Sequence, residues 1–314
     1  MTEQNSLNAT NAVGALVVDS ENTVFDNDDL KRESRIQQVW RSMRRSPSGM
    51  IGLSVLILHI LIALIAPWIV PFDWTLQDGY RMLLAPDANN WLGTDNMGRD
   101  ILSRTLMGGR TAILVTLTGT AIAMIWGSLA GMMLGFVGGR VDEWVMRVVD
   151  ALLAIPWLLF LLLIIALVGQ ELWTLIVTLG FFYGIAVIRI VRGATLEFVS
   201  RDFVTAARTR GESKLTIVVK ELLPNVLDAV LVEGAMRWAW MLLAFSSLSF
   251  LGFGVVPPTP DWGLMIADSR GMISIAPWAV LFPALALSTL IISINLTADA
   301  FAKAMGLDRA KAPV

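Results

Sequence analysis

Six runs of apolar residues limit what this chain can fold into. Each is near the ~20 residues a helix needs to cross a ~30 Å hydrocarbon layer. They lie at 51–70, 111–136, 151–168, 172–190, 226–251 and 279–297. In lipid, every backbone N–H and C=O of such a run must find its partner inside the run, so each predicts a helix. Only Gly169, Gln170 and Glu171 separate the third run from the fourth, which requires a tight antiparallel hairpin. Composition agrees: of 314 residues, 55% are apolar and 16% charged, against about 25% charged in an ordinary globular domain. A soluble enzyme is excluded. The expected fold class is an all-α integral membrane protein with six transmembrane helices.

Residues 1–30 carry Glu3, Asp19, Glu21, Asp26, Asp28 and Asp29 with no Lys or Arg, and predict a mobile acidic tail. In residues 31–47 the pattern changes. Ile36, Val39, Trp40 and Met43 recur at helical spacing, and Lys31, Arg32, Arg35, Arg41, Arg44 and Arg45 mostly cover the other faces. Such a helix lies in the membrane interface, or packs as a soluble amphipathic helix on a partner. Of the 24 Lys and Arg residues, 18 fall on one side of the predicted spans and 5 on the other, with Arg237 inside a span. That asymmetry places both termini in the cytoplasm. The expected organisation is a tail at 1–30, an interfacial helix at 31–47 and a first span with its outer loop at 48–110. A core of five spans follows at 111–303, with a cytoplasmic loop at 191–225, and then a C-terminal cytoplasmic tail at 304–314.

Several chemistries are absent from this sequence. It has no cysteine and one histidine, His59, so thiol, His-pair and His-Glu-x-x-His machinery are missing. Mid-span, His59 fits a neutral imidazole bonded to a neighbouring helix better than a ligand or proton relay. A net charge of −2 lacks the basic stripe of a nucleic-acid binder. There is no G-x-x-x-x-G-K-[ST] phosphate loop, so the chain should neither bind nor hydrolyse ATP. It is expected to hold no cofactor or metal.

Three stretches carry the functional signal. In the cytoplasmic loop, Thr205-Ala206-Ala207 precedes Gly211 and then Leu223-Pro224. The small alanines permit close approach to another surface, Gly211 can end a helix with positive φ, and Pro224 starts the next helix. On the outer side, the segment Trp91 to Arg104 contains Asp95, Arg99 and Asp100, which either brace the loop or meet a soluble partner. A second outer stretch, Pro257-Pro258-Thr259-Pro260-Asp261-Trp262-Gly263, is stiffened by three prolines. It either forms a rigid cover with Trp262 as an interfacial anchor or touches a partner. Within the fifth run, Glu233 and Arg237 lie four residues apart and can pair along one face. They border a gate or simply orient the helix.

These motifs resemble a family. The Ala206-Ala207, Gly211 and Leu223-Pro224 pattern is similar to the coupling loop of bacterial ABC-importer permeases, with Thr205 where that loop has Glu and Glu221 where it has an apolar residue. Trp91 to Arg104, Gly138-Gly139-x2-Asp142 with Met146-Arg147-x2-Asp150 and Ile155-Pro156, and Ser249 to Gly254 with Pro257 to Gly263 resemble the dipeptide/oligopeptide/nickel subfamily. Their order matches its C-type transmembrane subunit. The resemblance implies a type I importer permease in the bacterial inner membrane that moves dipeptides, oligopeptides or peptide-like solutes by alternating access. It implies a second homologous permease, two ATP-binding subunits that hold ATP and Mg, and an extracytoplasmic solute-binding protein. Thr205, Ala206, Ala207, Gly211, Leu223 and Pro224 would couple to the ATPases. Asp95, Arg99, Asp100, Asp261 and Trp262 would contact the binding protein, and Glu233 and Arg237 would form a gate. Within the same family the alternative cargo is an oligosaccharide or a nickel complex. An autonomous channel or ion-coupled carrier would want ionisable mid-membrane sites, for which only His59 is a candidate.

Overall fold

The computed structural model describes residues 35–306. The acidic tail expected at 1–30 lies outside the described residues, as do 31–34 of the amphipathic segment and 307–314 of the C-terminal tail. Two units are distinguished, one ending at Trp40 and the other beginning at Arg41. Helix α1 runs Arg35–Arg44. Among the described residues the structure is helical, and the sole β feature is an isolated bridge between Thr94 and Asp100.

Helix α2 (Pro47–Ile69) starts where Ser46 accepts the Gly49 N–H at 3.3 Å and Pro47 supplies a residue with no N–H to satisfy. Helix α3 (Ile101–Val137) begins ten residues before the predicted run, because Asp100 caps it by accepting the Ser103 N–H at 2.8 Å. It ends at Gly138 and Gly139, with φ of +60° and +66°. Two consecutive left-handed residues turn the chain sharply into α4 (Gly139–Leu153), a corner that side chains with a Cβ resist.

One expectation is corrected here. The run 151–168 is not a single spanning helix. It breaks at Ala154–Pro156 into the end of α4 and a separate α5 (Trp157–Val168), bent by 86°. Pro156 has no N–H to donate and its ring disfavours helical geometry at the preceding residue. The predicted hairpin follows: α5 closes at Gly169 and α6 (Leu172–Leu196) packs back against it.

A short α7 (Asp202–Thr209) and a helical turn at Lys214–Thr216 lead through a π-helix at Ile217–Leu222 into α8 (Leu223–Phe250). Then come α9 (Trp262–Ser269) and α10 (Trp278–Ala304). Four helices, α2, α3, α6 and α10, are long and apolar enough to cross a membrane, and the bent α4–α5 pair makes five if it counts as one span. Helix α8 has 28 residues but carries Asp228, Glu233 and Arg237 within its first fifteen.

The centre of the bundle is the α3–α6 pair. Close approach there depends on small residues. A Cβ placed on Gly127 would lie 2.6 Å from the Gly184 carbonyl, and one on Gly131 2.7 Å from that of Ile188. Trp126 donates its indole N–H across the seam to Gly180 at 3.1 Å. Around this pair, α10 packs on α2, and α8 on α3, α9 and α10. His59 does what its position predicts: Nδ1 donates to the Val55 carbonyl at 2.9 Å and Nε2 sits 3.2 Å from the Thr289 hydroxyl on α10.

Candidate functional site

The loop that carries the alanine pair is built on a buried apolar cluster. Val204 and Ala207 of α7 meet Ile217, Val218 and Leu222 of the π-helix, Met132 and Phe136 at the end of α3, Val187 and Val191 of α6, and Val226 of α8. The two alanines therefore differ. Ala207 is 0% exposed and packs on its own chain, whereas Thr205 and Ala206 face outward. Gly211, at φ +76°, ends α7 with the Glu212 N–H reaching back to the Ala207 carbonyl at 3.3 Å. Leu223 is half-buried against the cluster and Pro224 is exposed at the start of α8.

Charge fixes this element further. The Arg208 guanidinium lies 4.5 Å from the centre of the Phe136 ring and donates to the Phe136 carbonyl at 3.5 Å, at the end of α3 where helix carbonyls carry partial negative charge. Arg210 pairs with Glu212 at 2.7 Å and with Glu221 at 3.3 Å. Glu221, acidic where an apolar residue was expected, thus stays at the surface and ties the π-helix to the end of α7. Two further pairs hold α4 to α6: Asp142 takes Arg192 through both oxygens at 2.5 Å, and Arg189 meets Asp150 at 3.2 Å. In the sequence, Arg189 and Arg192 read only as topology charges. Two cations one helical turn apart at the end of an apolar run were the available sign of a partner helix.

At the opposite end of α3, Asp95, Arg99, Asp100 and Arg104 come together, all no more than 5% exposed. Asp95 Oδ2 accepts from Arg99 Nε at 2.7 Å and lies 3.6 Å from Arg104 Nε, while Oδ1 accepts the N–H groups of Met97 and Arg99. Arg99 also faces Asp268 of α9 at 3.6 Å. Asp100 accepts from Ser103 and, through its other oxygen, from the buried Asn90 side chain at 2.7 Å. Trp278 of α10 donates to the Thr94 carbonyl at 3.3 Å. Asn90 and Asp268 were not singled out from the sequence, and Trp278 reads there only as one of the tryptophans near a span end. What this segment exposes is Trp91 and Met97.

Asp261 and Trp262 are buried as well. Trp262 is 2% exposed, donates to the Thr105 carbonyl at 2.8 Å and lies flush against Gly108 and Gly109 of α3. It is a packing residue between α9 and α3, and the expectation of an interfacial anchor is corrected. Asp261 caps α9 by accepting the Leu264 N–H at 3.2 Å. Burial pushes its carboxyl up from the ordinary 3.8 to about 6, against the opposing pull of the Ser249 hydroxyl and the N–H groups of Leu264, Gly263 and Trp262. Ser249 Oγ lies close enough to favour the ionised form, and Asp261 Oδ1 is buried without a hydrogen bond.

The sign of the pH effect follows. A carboxyl with a raised folded pKa holds its proton more tightly when folded, so its contribution to stability is complete below about pH 4 and lost as pH rises through about 6. Asp261→Asn keeps the cap and removes the titration. Thermal unfolding followed from pH 4 to 7 should show a flatter profile for the variant, with its largest gain over the parent above pH 6. An unchanged difference across that range would mean the carboxylate is solvated.

Glu233 and Arg237 do pair on α8. Both Nε and Nη2 of Arg237 reach Glu233 Oε1, the former at 2.9 Å. The arrangement as a whole offers ion pairs and packing contacts rather than reactive groups. Among the described residues no cluster of three or more His, Asp or Glu side chains is placed to hold a metal ion.

Comparison with known proteins accords with this geometry. Residues 127–307 match the family described as binding-protein-dependent transport system inner membrane component, and residues 34–86 match the N-terminal TM domain of oligopeptide transport permease C. The di/tripeptide transport system permease protein DppC of Pseudomonas aeruginosa is 33% identical over 290 residues, covering 90% of this chain and 96% of that protein. The oligopeptide transport system permease protein OppC of Haemophilus influenzae is 33% identical over 278 residues, 88% of this chain and 89% of its own length. The glutathione transport system permease protein GsiD of Escherichia coli is 34% identical over 269 residues, 85% of this chain and 89% of its own length. The first match spans α3 beyond its midpoint, α6, the α7 loop and α8, and the second covers α1 and α2. With helices enough for several membrane crossings and relatives of the same length, this chain belongs to the binding-protein-dependent transport system inner membrane components.

Proposed function

We propose that this chain is a permease subunit of an ATP-driven importer that moves peptides or peptide-like solutes into the cytoplasm by alternating access. The relatives' names, which specify di/tripeptide, oligopeptide and glutathione transport, support that cargo over oligosaccharides or nickel complexes. In this reading the α4–α5 pair is one span and α8 the remaining one, giving six, with α1 in the membrane interface and both termini in the cytoplasm. The tail at 1–30, interfacial helix at 31–47, first span and outer loop at 48–110, core at 111–303 and C-terminal tail at 304–314 keep the roles stated above. A second homologous permease forms a heterodimer with it, two ATP-binding subunits hold ATP and Mg, and an extracytoplasmic solute-binding protein delivers the cargo. The chain itself is non-catalytic.

The observation that carries the reading is the seating of α7. Thr205 and Ala206 are presented outward on a helix whose other face, Val204 and Ala207, is locked into the ends of α3, α6 and α8. An ATPase closing on that outward face moves three helices at once rather than a loop. The buried Asp95–Arg99–Asp100 cluster then braces the outer end, and the Glu233–Arg237 face borders the cytoplasmic gate. In the assembled complex, Ala206→Cys should form crosslinks with cysteines on an ATP-binding subunit, in a yield that changes with bound nucleotide, while the buried Ala207→Cys should form few. Equal yields at both positions, or none at either, would remove the support for coupling through α7.

A further inference from the structure

The elbow between α4 and α5 opens a cavity of about 400 Å3, bounded by Ala154, Pro156 and Trp157 on the elbow, Phe182 and Tyr183 on α6, and Arg237 and Trp240 on α8. That volume falls in the range of about 300–1,000 Å3 typical of small-molecule sites, whose walls are mostly apolar and aromatic around a few polar groups. Here Arg237 is the one charged residue on the wall.

The guanidinium is incompletely used. It has five N–H donors in a planar fork. Two nitrogens converge on the single oxygen Oε1 of Glu233, and among the described residues no other hydrogen bond reaches the group. A counter-ion held only for neutrality is held best with two oxygens on two nitrogens, as Asp142 holds Arg192. The Tyr183 hydroxyl is already committed, donating to the Trp240 carbonyl at 3.3 Å and tying α6 to α8 across the cavity. Trp240 itself is 58% exposed, so the cavity is open on the α8 side.

We infer that this cavity receives the carboxylate of a peptide in transit, with Arg237 offering its spare donors to both oxygens and Trp157, Phe182 and Trp240 covering the apolar remainder. The inference rests on the importer reading above and deepens it. A neutral sugar offers a guanidinium only uncharged hydroxyl acceptors, whereas every peptide with a free C-terminus offers a carboxylate that matches the fork through two oxygens. The elbow at the 86° break supplies one side of this space, through Ala154, Pro156 and Trp157.

The test uses the membrane-embedded complex of permeases and ATPases, with the binding protein omitted so that the cavity is read directly. A photoreactive benzoylphenylalanine at Trp240 captures a labelled tripeptide, and unlabelled tripeptide or its C-terminal amide competes. The expected result is competition by the free acid about ten- to hundredfold stronger than by the amide, the worth of a hydrogen-bonded charge. The double variant Glu233→Gln with Arg237→Gln leaves no unpaired charge and should bring acid and amide to parity, while Arg237→Lys should retain part of the preference. Equal competition in the parent complex overturns the inference. So does a preference that survives the double variant, or capture of a phospholipid that tripeptide does not displace. ATP-driven import of the same peptide with the binding protein restored is scored separately, and its loss in the parent complex would count against the importer reading itself.

Discussion

Asp95→Asn is expected to destabilise the protein by about 3–5 kcal/mol, the cost of leaving buried charge uncompensated. Asp95 is the shared counter-ion of Arg99, at 2.7 Å, and Arg104, at 3.6 Å, and both arginines are almost completely buried. Arg104 Nε has no hydrogen bond and relies on that carboxylate, and among the described residues the other carboxylate ion-paired with either arginine is Asp268, 3.6 Å from Arg99. Asparagine would keep the oxygen that accepts the Met97 and Arg99 N–H groups but not the charge. Thermal unfolding of the detergent-purified complex, together with its abundance in membranes, measures the effect. Asp268→Asn, at a more exposed position, serves as the smaller comparison. A loss below about 1 kcal/mol for Asp95→Asn, the size of an exposed ion pair, would show that the cluster is hydrated.

Gly131→Leu is expected to cost about 3 kcal/mol or more, at or beyond the upper end of ordinary overpacking. The obstacle at this position is backbone, not a flexible side-chain tip. A Cβ there would meet the Ile188 carbonyl at 2.7 Å and the Arg192 N–H at 3.1 Å. The α3–α6 seam would have to open, and with it the Trp126–Gly180 hydrogen bond and the Asp142–Arg192 pair. Loss of protease resistance in membranes is the readout. Gly193→Ala on α6 is the control: nothing lies within 4 Å of its added Cβ, so it should be tolerated. If Gly131→Leu folded normally, helix contact through small residues would not be what holds the bundle together.

Much of this architecture is legible in the sequence, for a physical reason. A membrane-crossing helix satisfies its own backbone, so length and apolarity locate it with no knowledge of partners. Five of the six predicted runs each lie almost wholly on one continuous helix, the run 151–168 is the one that breaks, and the hairpin at Gly169 is where the short polar break puts it. Helix limits and bends were less visible because they depend on single residues. Asp100 extends α3 by capping it early, and Pro156 splits a run whose hydropathy is continuous. The rule that a residue before proline leaves the helix would have flagged Ile155.

Partners distant in sequence were the least legible. Asp95 and Arg99 are four residues apart and pair as local spacing suggests, but Asn90, Asp268 and Trp278 join them through tertiary packing that no periodicity encodes. The same limit applies to the alanine pair. Adjacent residues on a helix point about 100° apart, so a pair can straddle the edge of a buried face, and here Ala207 lies inside it and Ala206 outside. Which of them turns inward is decided by the Met132–Phe136 end of α3 beneath.

Helix α3 has 37 residues without a break, about 55 Å at 1.5 Å per residue. Its last turn carries the Arg208 contact and its first is clamped by Asp100 and Arg104. A stiff rod pinned at both extremities converts a small tilt at one end into a displacement at the other, with no intervening joint to absorb it. The two faces of the membrane are thus in mechanical register through one uninterrupted element.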